Sequence, residues 1–63
     1  MLMEQSMIDE PVTVGQLCNG ELFEYNDEVF EVLENRGTKY VLCERKRDLD
    51  LLNIEHNQIV EPI

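Results

Sequence analysis

Two turn signals cut the middle of this chain into three short alternating runs, and that punctuation constrains its fold more than any other feature. Asn26-Asp27 is the first: both residue types tolerate the left-handed backbone that a tight hairpin needs. Asn35-Arg36-Gly37 is the second, with Gly37 suited to positive φ. The runs so bounded are Glu21–Tyr25, Glu28–Glu34 and Thr38–Glu44. In the first, Phe23 and Tyr25 fall on one face and Leu22 and Glu24 on the other. In the second, Phe30 and Val32 alternate with Val29, Glu31 and Leu33; in the third, Tyr40 and Leu42 alternate with Val41 and Cys43. Apolar groups on both faces of the second and third runs predict central strands covered on both sides.

The flanks add shorter elements. Residues 1–10 mix Leu2, Met3, Met7 and Ile8 with polar and acidic side chains, and Pro11 stops any helix that starts there. Val12-Thr13-Val14 is β-branched, Gly15 can turn the chain, and Asn19-Gly20 is a further turn signal. After the charged connection Arg45-Lys46-Arg47-Asp48, the segment Leu49–Ile54 reads as a strand or a short helical turn, which periodicity alone does not decide. Glu55-His56-Asn57 reads as a loop, and Gln58–Ile63 as a closing edge strand interrupted at Pro62. The predicted organisation is a flexible arm over 1–11 and a small β domain over 12–63. The expected fold is mainly β: a strongly bent antiparallel sheet or a partly open barrel of the Src-homology-3 type, with a β-meander capped by one helix as the alternative.

With 63 residues, a domain buries only about 60% of the surface its unfolded chain exposes. A stability of about 3–9 kcal/mol follows from typical per-residue values, which argues against a deep, strained catalytic pocket. The same shortage of core favours self-association, or completion of the core by a partner. Fourteen acidic residues against five basic ones give a net charge of −9. That charge repels nucleic acid and anionic membranes over a Debye length of about 8 Å, and makes basic protein surfaces the favoured partners. No stretch approaches the ~18 apolar residues that cross a bilayer. Met1–Glu10 lacks a basic n-region, an apolar h-region and a small-residue cleavage site, so a cytoplasmic setting with Cys18 and Cys43 reduced is expected.

The motifs point away from catalysis. Gly15, Gly20 and Gly37 are scattered and no Gly-Lys pair exists, so no phosphate-binding loop is present. Cys18, Cys43 and His56 lie too far apart in sequence for a zinc motif, and no metal or cofactor is expected. Cys43 reads as a small packing residue and His56 as a surface loop histidine. Glu21, Glu24, Asp27, Glu28, Glu31 and Glu34 cluster through the first hairpin. No cleft or aromatic subsite accompanies them to separate two carboxyl groups into acid and base. They read as a solvated face, or as a row of phosphate-like charges that steers a basic, nucleic-acid-binding protein. Arg45, Lys46 and Arg47 hold three of the five bases and read as a salt-bridged loop, or as an anion-binding patch on an oligomer.

The run Val14-Gly15-Gln16-Leu17, followed by Gly20-Glu21-Leu22-Phe23-Glu24-Tyr25-Asn26-Asp27-Glu28-Val29-Phe30-Glu31-Val32-Leu33, resembles the opening of small bacteriophage-encoded acidic β-barrel proteins, over Val14–Glu44. Asp27 stands where a glycine is usual. The resemblance implies stoichiometric binding to a host enzyme or defence factor in the host cytoplasm, and it supplies no catalytic residues. The expected function is therefore a non-enzymatic protein-binding module that inhibits or modulates a host protein with a basic or nucleic-acid-binding surface. Glu24, Asp27, Glu28 and Glu31 would steer, with Tyr25 and Tyr40 as amphipathic anchors. A homo-oligomer is expected, with no direct nucleic-acid or membrane contact. Two alternatives stand beside it: an oligomer that sequesters a phosphorylated nucleotide through Arg45, Lys46 and Arg47, and a structural or assembly protein of a virion.

Overall fold

A computed structural model describes residues 11–63, so residues 1–10 of the expected arm lie outside the described residues. Among the described residues six strands form: β1 (Val12–Thr13), β2 (Leu22–Tyr25), β3 (Glu28–Glu34), β4 (Tyr40–Arg45), β5 (Asp50–Glu55) and β6 (Ile59–Pro62), with a 3-10 turn over Val14–Gln16. They make one antiparallel sheet in the order β1-β6-β2-β3-β4-β5.

Each turn follows from its residues. Asn26 and Asp27 both adopt positive φ, 54° and 62°, as a two-residue hairpin between right-twisted strands requires. The pairing Tyr25↔Glu28 closes directly on them. Gly37 has φ 73° in the β3–β4 connection. Leu49 takes φ 60° and ends the β4–β5 turn, its N–H donating to the Arg45 carbonyl at 2.6 Å. That reversal returns the backbone to an extended path, so the ambiguous leucine-rich segment becomes a strand, paired with β4 from Tyr40↔Glu55 to Arg45↔Asp50.

The sheet is open and does not close into a barrel. β1 is only two residues long, and the Thr13–Gln16 capping box then turns the chain away from the ladder. Val14 and Gly15 donate instead to Gln58 and His56 carbonyls at 2.9 and 2.8 Å, which lays the 3-10 turn over one face, against β4 and β5. Gly15 is required for that approach, since a Cβ there would stand 2.7 Å from the His56 carbonyl oxygen. The expected closing edge strand is not an edge: β6 lies between β1 and β2. Pro62 is tolerated there because it sits at the strand end, opposite Phe23, and Ile63 resumes the ladder by donating to Leu22.

Alternation sorts the side chains. Val14, Leu17, Phe23, Phe30, Val32, Val41, Cys43, Ile54 and Val60 form the core on the covered face. Phe23 and Phe30 are cross-strand partners and stack with ring centroids 5.4 Å apart. The interior position expected for the second run is observed, but its coverage on both sides is not. Among the described residues nothing lies over the opposite face, where Leu22 and Val29 remain 40% and 37% exposed. The 3-10 turn and its neighbours suffice to cover one face only.

Candidate functional site

Pairing of β2 with β6 sets Glu24 directly opposite Glu61. Like charges in that relation repel across a sheet. Asp27, held in the left-handed hairpin turn, adds a third carboxylate beside them. With Tyr25, Asn26, Ile59 and Val60 these residues line an open groove of about 270 Å³. Among the described residues, no base forms an ion pair with Glu24, Asp27 or Glu61. Tyr25 faces the core side, its ring 6.0 Å from that of Phe30.

Glu28 and Glu31, expected to share this role, have a different environment. The β4–β5 turn folds beside the start of β3, with Lys46 N donating to the Val29 carbonyl at 2.9 Å. Arg47 then reaches Glu28 at 2.9 Å, and Arg45 reaches Glu28, Asp48 and Asp50 at 3.6, 3.0 and 3.2 Å. Lys46 bridges Glu31 and Glu44 at 2.9 and 3.0 Å. Hydrogen bonds to Glu31 and Glu44 hold the Lys46 ammonium above its usual value, and the Arg45 hydrogen bond holds the Asp48 carboxyl below its own. In sequence the acidic hairpin and the basic loop look separate, with Arg36 the nearest base to the hairpin. In space the loop pairs with two of the hairpin's carboxylates, Glu28 and Glu31. Arg45, Lys46 and Arg47 are correspondingly engaged with carboxylates.

Tyr40 lies away from both groups. It is 47% exposed on the outer face, with Lys39 Nζ 5.6 Å from its ring centroid. It lines a second shallow groove of about 330 Å³ with Glu34, Arg36, Thr38, Leu42 and Asn53. The expected binding residues therefore divide: Glu24, Tyr25 and Asp27 come together, Glu28 and Glu31 join the ion-pair cluster, and Tyr40 belongs to another surface. Glu61 and Ile59 complete the first groove and were missed, because only the β6 pairing brings them to Glu24. Cys18 is exposed and Cys43 buried, both as free thiols. Burial pushes the Cys43 thiol up to about 11.

Chemically, the first groove presents carboxylate oxygens as acceptors, with an aliphatic and aromatic rim. This set suits an ammonium or guanidinium group carried on an apolar stem. Compared with protein-family models, curated proteins and solved structures, the chain matches none.

Proposed function

We propose that this chain is a non-enzymatic binding module that docks on the basic, nucleic-acid-binding surface of another protein and modulates that protein by occupying the surface. The observation that carries this is how the charges are sorted. Arg36, Arg45, Lys46 and Arg47 are each paired with carboxylates, while Glu24, Asp27 and Glu61 converge on one groove with no cation among the described residues. A rigid, unneutralised set of carboxylates accelerates encounter with a cationic surface and imitates the charge of a phosphate backbone. Tyr25 and Ile59, which line the same groove, give such an encounter an amphipathic contact at its rim. The resemblance to phage proteins supports a host protein as the partner. Sequestering a phosphorylated nucleotide has less support, since it needs Arg45, Lys46 and Arg47 free of their carboxylates.

The test is capture on the immobilised chain, with the mass and stoichiometry of the bound protein read out, followed by challenge with duplex DNA. Displacement by DNA, and loss of capture by the Glu24→Gln/Asp27→Asn/Glu61→Gln variant, are expected. A partner that DNA leaves in place refutes the proposal.

A further inference from the structure

On the face opposite the core, one aliphatic side chain from each of five adjacent strands falls into a single band. Ile63, at the end of β6, lies against Leu22 of β2, joined by the Ile63 N–H to Leu22 carbonyl bond. Leu22 pairs with Glu31, which sets Leu33 on its diagonal. The register shift after Val32 places Leu42 of β4 beside Leu33 and Glu34. Leu51 of β5 pairs with Glu44, on the diagonal from Leu42. None of the five belongs to the core cluster, and Ile63, Leu22 and Leu51 are exposed. Four strand spacings make the band about 19 Å long. Carboxylates border it: Glu24, Glu31, Glu44 and Glu61 along one side, with Glu34 beside Leu42 on the other. Lys46 and Arg36 are the bases that interrupt this border.

We infer that this band is the seat of a cationic amphipathic helix of a partner protein, its aliphatic face on Ile63, Leu22, Leu33, Leu42 and Leu51 and its lysines or arginines over the bordering carboxylates. The inference rests on the binding-module reading above and identifies the apolar half of the contact. About 13 helical residues span the band's length. Charge selects the occupant: a second copy of this chain would set one acidic border against another. The chain's own residues 1–10 carry Glu4, Asp9 and Glu10 and no base.

The probe is a synthetic peptide of about 14 residues with leucines at helical spacing and lysines elsewhere, compared with a scrambled peptide of the same composition. Binding followed by fluorescence anisotropy should be about tenfold tighter for the patterned peptide, and about tenfold weaker in Leu22→Ser/Leu51→Ser. Ile63→Ser, at a highly exposed position outside the core, should weaken binding without touching the fold. Equal binding of the scrambled peptide, or parental affinity in the serine variants, overturns the inference. If only the Glu24→Gln/Asp27→Asn/Glu61→Gln variant loses binding, the band falls and electrostatic docking stands; if only the serine variants lose it, the reverse holds. A free dimer that Leu22→Ser/Leu51→Ser dissociates would make the occupant a second copy. A gain in peptide affinity in Leu2→Ser/Met7→Ser would make it the chain's own N-terminal segment. Either result also overturns the inference.

Discussion

Asn35 illustrates how much a single side chain ties together in a domain with so small a core. Its Nδ2 donates to the Gly15 and Leu17 carbonyls at 2.9 and 2.8 Å, and its Oδ1 accepts from the Gly37 N–H at 3.0 Å. Its own N–H donates to Asn19 Oδ1 at 2.9 Å. The lead-in and the β3–β4 connection are thus clipped to one residue. Replacing it with Ala should cost about 2–3 kcal/mol, since partly buried carbonyls lose their donors. Asn35→Asp should cost more, because an acceptor would then face two carbonyl oxygens; urea midpoints for the two variants check this order. Cys43 offers a pH-dependent counterpart. Its folded thiol keeps its proton up to about 11, while the unfolded thiol titrates near 9.0. The unfolded chain therefore binds fewer protons between those values, so Cys43's contribution is complete below about 9 and is lost as pH rises towards about 11. Over that window the parent should lose more stability than Cys43→Ala, and a thiol reagent at neutral pH should label Cys18 in the native chain and Cys43 only after unfolding. Equal losses in the two proteins would show that Cys43 is not the group responsible.

At the scale of elements, the β2–β3 hairpin places a carboxylate where the backbone favours glycine. Asn26 and Asp27 both have left-handed φ, which costs a non-glycine residue about 1–2 kcal/mol, less for Asn and Asp. Asp27→Gly should stabilise the fold by about 0.5–1 kcal/mol, raising Tm by a few degrees, while it slows association with a basic partner. A variant more stable yet slower to bind would separate folding from function at this turn; a loss of stability would contradict the turn assignment. The hairpin is also where sequence was most informative. Glu28–Glu34 matches β3 residue for residue, because Asn26-Asp27 and Asn35-Arg36-Gly37 encode their turns locally. The Asn35 contact with Gly37 is local in the same way. Its contacts with Gly15 and Leu17 are not, and no pattern near residue 35 announces them. The same distinction explains β6: alternation identified a strand near Ile59 and Val60, whereas its place between β1 and β2, and hence the meeting of Glu61 with Glu24, depends on tertiary pairing. Leu49–Ile54 was undecided because four aliphatic residues satisfy either period; the positive φ of Leu49 and the free side of β4 decide it. Apolar residues on both faces of β3 were legible, but alternation does not say whether anything covers the second face.

For the whole molecule, the question is whether its field acts as a net charge or as a localised one. A net charge of −9 would attract any cationic protein, and at physiological salt such attraction fades beyond about 8 Å. Localised steering requires that unneutralised carboxylates be concentrated where the partner docks, which the ion pairs of Glu28, Glu31, Glu34, Glu44, Asp48 and Asp50 achieve by leaving the Glu24–Asp27–Glu61 groove uncompensated. Two substitutions that each remove one charge distinguish the cases: Asp27→Asn in the groove, and Glu55→Gln at the far end of β5. Both positions are exposed, so neither change should disturb the fold. If the field is localised, Asp27→Asn should lower the association rate with a captured basic partner about two- to fivefold at low salt and flatten its dependence on ionic strength. Glu55→Gln should leave both nearly unchanged. The dissociation rate should move less in either variant, because the apolar contacts set residence time. Stopped-flow or surface-binding kinetics across ionic strengths read all of these quantities, and equal slowing by the two substitutions would mean that net charge, not the groove, brings the partner in.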